Sequence, residues 1–323
     1  MSAAVTPSHY APRLNGRVQA MSLEPGSDSR LKTNNLKTTV RYWDYAPVRQ
    51  AADAKTILAV HGFRGDHHGL ERIVEQLPGH RIIMPDLPGF GSSPRLPDRR
   101  HDISGYTRVL SEFMEALDLG PDTILLGHSF GSIVTSHFVA EQPGRVSRLI
   151  LINPIASPAL EGPQGALSKI AESYYWAAAR LPERAGRALL QSPLIVRAMS
   201  VGMAVTRNKP LRRFIHEQHD AYFSSFADRD MLLEAFTASI TSHVGQVAQQ
   251  LALPTLLIAG GADQIAPPAA QRRLLRRLPE GRLHVIDGVG HLIHYETPGP
   301  AAVAIEEFLR PGPERKAQGE EPV

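Results

Sequence analysis

The 323-residue sequence contains no cysteine. That absence excludes a disulfide framework, thiolate catalysis and cysteine-based zinc sites, and it suits a reducing compartment. Long apolar runs are missing too. The nearest approach to a membrane span, residues 193–205, is too short and is interrupted by Arg197. Neither charge dominates: 35 Lys and Arg face 32 Asp and Glu, for a formal net charge of +3. The arginines are spread out rather than gathered, so no nucleic-acid partner is expected. The first ten residues lack the basic start and apolar run of a secretory signal, and a cytoplasmic location is the expectation. The H-E-x-x-H zinc motif does not occur. Gly89-Phe90-Gly91 has no third glycine and opens no helix, so it completes no dinucleotide fingerprint. No metal or cofactor is therefore expected. What is present, 42% hydrophobic and 21% charged residues, is ordinary globular composition at a length that fits one large domain or one domain with an insertion.

Residues 1–30 are polar and without clear period, and read as a disordered leader. Residues 38–45 (TTVRYWDY) alternate apolar and polar as an early antiparallel strand would, with Asn34-Asn35 as a hairpin turn before it. Short continuous apolar runs at 56–60, 81–84, 123–126, 149–152, 254–259 and 282–286 are the mark of strands buried on both faces. Between them lie helical stretches at 70–77, 103–117 (capped by Asp102 or Ser104), an amphipathic helix at 130–141, and helices at 268–278 and 301–310. Strands alternating with helices imply an α/β fold with a mostly parallel central sheet covered on both faces. From about 155 to 250 the strands stop. Helical periodicity runs through 167–181, 185–205, 211–226 and 231–251, which reads as an all-helical cap inserted between core segments 31–154 and 251–310. The tail, 311–323, is charged and rich in Pro and Gly, and reads as disordered.

One stretch carries the strongest chemical signal. An apolar strand runs into Gly127-His128-Ser129-Phe130-Gly131 and then a helix. A serine hydroxyl is a weak nucleophile and must be lifted clear of the backbone, which a sharp strand-to-helix turn flanked by glycines achieves. By itself a G-x-S-x-G pattern is weak evidence. A nucleophilic serine also needs a base, and the base an orienting acid. In a parallel sheet the loops after the strand C-termini converge on one crevice. Asp263, in Gly260-Gly261-Ala262-Asp263, and His291, in Asp287-Gly288-Val289-Gly290-His291, both sit at such ends. His61-Gly62-Phe63 follows another strand, and the backbone N–H of Phe63 can face that of Phe130 across an oxyanion.

Together with Asp86-Leu87-Pro88-Gly89-Phe90-Gly91-Ser92 and Glu296-Thr297-Pro298, these motifs resemble an α/β-hydrolase-fold serine hydrolase with a helical cap. The resemblance spans roughly residues 38–310, with the cap matched least. It implies Ser129 as nucleophile, His291 as base, Asp263 as orienting acid, Phe63 and Phe130 as oxyanion donors, and Gly62, Gly127, His128 and Gly131 as support. It implies hydrolysis of a small or medium ester through an acyl-serine, with a small molecule as the partner. C–C bond hydrolysis of aromatic-ring breakdown, lactonase or amidase activity, and a small-molecule receptor that keeps the triad are the alternatives. Ser132 departs from relatives that carry a second glycine after the elbow.

Other residues carry blander expectations. His294 is a rival base, more naturally a pocket or backbone-bonding residue. His61 and His128 read as packing residues, and Asp86 as the organiser of its own glycine loop. Asn153 occupies the alternative acid position without a carboxylate. His216 and His219, three residues apart, read as cap packing or solvated surface rather than a metal site. Tyr174, Tyr175, Trp176, Tyr222, Phe223 and Phe226 either face the cleft or pack cap onto core. The cap arginines (180, 184, 187, 197, 207, 212, 213) read as a solvated face from which one could reach inward. Oligomeric state and substrate identity are not legible.

Overall fold

The computed structural model describes residues 10–14, 16–23, 37–49, 54–158 and 165–310. Eight strands form one sheet among these residues: β1 (Arg17–Leu23), β2 (Thr38–Tyr45), β3 (Thr56–Val60), β4 (Arg81–Pro85), β5 (Ile124–His128), β6 (Arg148–Ile152), β7 (Thr255–Gly260) and β8 (Gly281–Ile286). Their order is β1-β2-β4-β3-β5-β6-β7-β8. β2 pairs antiparallel with both β1 and β4, and every other pairing is parallel.

The apolar runs divide by parity. Ile57 and Ala59 of β3 join Ile82, Met84, Ile124, Leu126, Ile150 and Ile152 in the core on one face. Leu58 and Val60 join Ile83, Leu125, Leu149 and Leu151 on the other. Successive side chains of a strand point to opposite faces, so a strand covered on both sides must be apolar at every position. The edge strand β8 instead alternates exposed and partly covered residues over most of its length.

Helices α1 (Glu71–Glu75), α2 (Ile103–Ala116) and α3 (Phe130–Glu141) belong to the first part of the chain. Asp102 caps α2 by accepting from the Gly105 N–H. The expectation of an amphipathic α3 does not hold. It is buried on nearly every side, from Phe130 through Val139, because it packs between the sheet and α2. Among the described residues five α-helices lie between β6 and β7: α4 (Gly165–Arg180), α5 (Glu183–Leu190), α6 (Pro193–Met203), α7 (Lys209–Tyr222) and α8 (Arg229–Thr241). The helix expected over 185–205 is two, because Pro193 starts a new helix at its first turn, where its missing N–H is harmless. The helix expected over 231–251 ends at Thr241. Two short 3₁₀ turns follow, and the Val244 N–H donates to Ile155 O, drawing the chain back to where the cap began. The chain closes with α9 (Pro268–Leu275), α10 (Ile293–Glu296) and α11 (Pro298–Leu309).

The expected leader needs correcting. Arg17 to Leu23 is the other edge strand of the sheet, in register with β2 from Arg17 opposite Asp44 to Leu23 opposite Thr38. Its pattern was invisible because only Leu23 is buried, so backbone pairing rather than side-chain burial holds it. The Asn34-Asn35 turn and the tail from 311 lie outside the described residues.

Candidate active site

Ser129 sits at the junction of β5 and α3 with φ 52° and ψ −115°. A non-glycine residue there is strained and persists only where its surroundings over-determine it. Here the Ser129 N–H donates to Ile152 O at 3.0 Å, and Ser129 O accepts from the Ser132 N–H at 2.9 Å and from Ser132 Oγ at 2.5 Å. The flanking glycines are steric necessities. A Cβ on Gly127 would run into Thr135 Oγ1 and Gly131 O, and one on Gly131 into the carbonyls of Val60 and His61.

His291 Nε2 lies 2.8 Å from Ser129 Oγ, and His291 Nδ1 lies 2.8 Å from Asp263 Oδ2. A carboxylate at Nδ1 keeps the proton on that nitrogen and leaves Nε2 free to accept from the serine. Asp263 is itself held in several directions. Its Oδ1 accepts from the N–H groups of Ile265 and Ala266, and its Oδ2 from Asn153 Nδ2 at 2.7 Å. Burial pushes this carboxyl up. The charge and hydrogen bond of His291, with the Ala266 and Asn153 donors, outweigh that and lower it to about 2.

Phe63 follows β3 and Phe130 opens α3. The Phe130 N–H is in the first turn of a helix, where donors lack intrahelical partners. The Phe63 N–H donates to no other backbone carbonyl among the described residues. His61 fixes this loop. The Leu87 N–H donates to His61 Nε2 at 2.8 Å, so Nδ1 carries the proton that reaches Gly62 O at 2.8 Å. Asp86 accepts from the N–H groups of His67 and Ser92 and from His67 Nδ1, and so organises its own glycine loop. Asp66, His67 and His68 bring three ligand-type atoms within 4.8 Å of one another. The two Nδ1 atoms already bond to Asp86 and Asp66, which accounts for the cluster.

A cavity of about 180 Å³ is lined by Ser129 and His291, by apolar side chains that include Met199, Met203 and Phe223, and by His219 and His294. The family described as alpha/beta hydrolase fold matches residues 55–298. The chain belongs to this family. It is a hydrolase by that membership, and its relatives span several chemistries. Lipase 3 of Moraxella sp. (strain TA144) is 26% identical over 246 residues, 73% of this chain and 71% of that one. A 2-hydroxy-6-oxononadienedioate/2-hydroxy-6-oxononatrienedioate hydrolase of Cupriavidus pinatubonensis is 24% identical over 260 residues, 76% of this chain and 83% of that one. Among solved structures, a thermophilic esterase from Thermogutta terrifontis superposes with a TM-score of 0.71 at 23% identity, over 90% of this chain and 98% of that one, which speaks for the fold.

Within this α/β hydrolase, Arg64 and Ser200 matter although the sequence did not single them out, and Ser132, noted only as a departure after the elbow, has a structural role. Arg64 is 1% exposed and follows Phe63 with φ 59°. Its Nε donates to Phe223 O at 2.9 Å, one terminal nitrogen to Leu190 O at 2.8 Å and the other to the Tyr175 hydroxyl at 3.3 Å. The inward-reaching arginine thus comes from the core loop, not from the cap. Of the cap arginines, Arg187 bonds the carbonyls of Phe226 and Ala227, and Arg180 lies over the exposed Trp176 ring. Ser132 accepts from the Ile155 N–H while donating to Ser129 O, tying the elbow to the start of the cap. Ser200 lies between His216 and His219, both buried, so these histidines are packed rather than solvated.

The aromatic residues divide. Phe223 lines the cavity. Tyr175 packs against Phe63 and Phe236. Tyr222 ends a stack that runs from Trp43 through His67 and His68. His294 makes no hydrogen bond to Ser129. Its ring packs 4.1 Å from that of His128, and His128 Nε2 lies 3.5 Å from His291 O. Burial, and next the His291 charge, lower His128 to about 3, so it stays neutral.

Proposed function

We propose that this hydrolase cleaves small carboxylic esters through an acyl-serine intermediate. Ser129 Oγ attacks the ester carbonyl as His291 Nε2 takes its proton. Asp263 holds the imidazole in the required tautomer and stabilises the imidazolium. The N–H groups of Phe63 and Phe130 receive the oxyanion, each worth about 3 kcal/mol when aligned. Collapse expels the alkoxide, which takes the proton back from His291. Water activated by the same nitrogen then releases the acid. The observation that carries this reading is the pair of 2.8 Å contacts joining Ser129, His291 and Asp263 at the wall of a mainly apolar cavity.

Cavity size supports a short substrate, since pockets that engulf drug-sized ligands run from about 300 to 1,000 Å³. The Cupriavidus relative raises C–C bond hydrolysis of an acidic dienoate as the second reading. Against it, Arg64 is the one Arg or Lys lining the cavity among the described residues, each of its three nitrogens already donates, to Phe223, Leu190 and Tyr175, and the Asp66 carboxylate lines the same cavity. A substrate carboxylate would meet no cation there without such partners. Fluorophosphonate labelling tests the proposal. The full chain should label once, at Ser129, and Ser129→Ala should not label. Labelling that survives Ser129→Ala would refute it.

A further inference from the structure

Two methionines of the cap line the cavity, Met199 and Met203. They stand four residues apart on α6, so their side chains are neighbours on one helix face. With the buried Val196 and Ser200 they form the stripe that α6 turns inward, at i, i+3, i+4 and i+7. On the other side of the helix Leu194 and Val201 are 82% and 57% exposed. Over the cavity the wall at α6 is therefore one helix thick.

The end of α6 is seated on the turn that carries His291. A Cβ on Gly290 would stand 2.6 Å from Val205 Cγ2 and 3.6 Å from Met203 O. Met203 packs against the cluster that holds Ala204, Leu292 and Tyr295, and both Leu292 and Tyr295 line the cavity. The Val205 N–H donates to Glu296 Oε1 at 2.9 Å. Three contacts of different kinds thus tie α6 to the segment from Gly290 to Glu296, and they make it a fixed wall rather than a lid.

In the proposed reaction the leaving oxygen takes its proton from His291 Nε2, so it lies within hydrogen-bond reach of that nitrogen. The carbonyl oxygen points elsewhere, to the N–H groups of Phe63 and Phe130. The chain on the leaving oxygen starts beside His291, where the end of α6 is seated. We propose that Met203, backed by Met199, sets the length of alcohol that the enzyme accepts, and that the substrate is the ester of a short, apolar alcohol. An unbranched thioether fills a gap without imposing one shape, which suits a wall met by several small alcohols. The inference rests on the serine-hydrolase reading and deepens it by naming the side of the ester that is limited.

The test compares ethyl, butyl, hexyl and octyl butanoate, with acid release followed by titration. Wild-type kcat/KM should fall from butyl to octyl. In Met203→Ala the octyl-to-ethyl ratio should rise about tenfold, since each further methylene given an apolar place is worth about fourfold. Met199→Ala should raise it less, because it stands a turn further from His291. Met203→Phe should lower it, and Met203→Leu, which keeps the bulk, should hold it near the wild-type value. Should Met203→Ala fail to fold, Met203→Val removes less bulk and should move the ratio in the same direction. A second series, methyl esters from butanoate to decanoate, lengthens the acyl side instead, and its profile should be the same in wild type and Met203→Ala. An alcohol ratio that stays put in the smaller variants, or an equal or larger shift in the acyl series, overturns the proposal. Fluorophosphonate labelling of wild-type Ser129, run alongside, fails only if the hydrolase reading itself is wrong.

Discussion

The turns of the sheet and the helices of the cap hold their functional groups by different means. At the ends of β5 and β7 the backbone does the holding. The Ser129 N–H is bonded to Ile152 O, and the Asp263 carboxylate accepts from two backbone N–H groups before it meets His291. In the cap, Met199, Met203, His219 and Phe223 reach the cavity as side chains from α6 and the end of α7. Backbone bonds tolerate sequence change only where geometry is kept, whereas cavity-lining side chains can be exchanged one at a time. The proposed chemistry therefore sits on the rigid part and the proposed selectivity on the replaceable part. Arg64 and Ser132 are the seams between them.

Variants of the sheet turns should have the largest effects. Ser129→Ala should lower kcat by about five to six orders of magnitude and Asp263→Asn by about four, with the melting temperature nearly unchanged. Near-wild-type turnover in Asp263→Asn would remove that residue from the account.

Acid strikes both regions at once. His128 in the core and His219 in the cap are each lowered to about 3 from an ordinary 6.5. The unfolded chain then binds protons below pH 6.5 that the folded chain refuses until about pH 3, so stability falls with falling pH throughout that window. From pH 7 to pH 5 each should cost about 2 kcal/mol. Asp263, lowered to about 2, has the same sign over a lower window: its contribution is full above about pH 4 and is lost as pH falls towards 2. Urea midpoints at pH 7, 6 and 5 measure the slope, and His219→Gln should remove its own share, about 2 kcal/mol between pH 7 and pH 5, if cap and core unfold together.

At the seam, Arg64→Met strips partners from two buried carbonyls and a hydroxyl. It should cost about 2–4 kcal/mol in urea unfolding and lower kcat about tenfold by loosening the Phe63 N–H. Equal activity at unchanged stability would mean that the cap does not lean on the oxyanion loop. Ser132→Ala should have the smallest effect, about 1 kcal/mol, since it leaves one N–H, that of Ile155, without its acceptor.

These seams also mark where the sequence stopped being legible. Ser129, Asp263 and His291 could be read because each stands at the end of an apolar strand beside glycines, a local pattern with a chemical reason. The parallel strands were equally plain, since burial on both faces demands unbroken apolar runs. Arg64 was not, because its acceptors lie between 111 and 159 residues further along the chain. His219 could be read as cap packing or as solvated surface, and only Ser200, 19 residues before it, decides for packing. β1 escaped because a strand held by backbone pairing, with one buried side chain, leaves almost no hydrophobic signature. The break before α6 could have been anticipated from Pro193.

The central claim is that Ser129 carries the acyl group during turnover. Rapid-quench mass spectrometry on the chain mixed with p-nitrophenyl butanoate tests it most directly. The account predicts a burst of p-nitrophenol equal to the enzyme concentration and a butanoyl adduct on the peptide that contains Ser129, both lost in Ser129→Ala. Steady turnover with no burst, or an adduct on another residue, would contradict it.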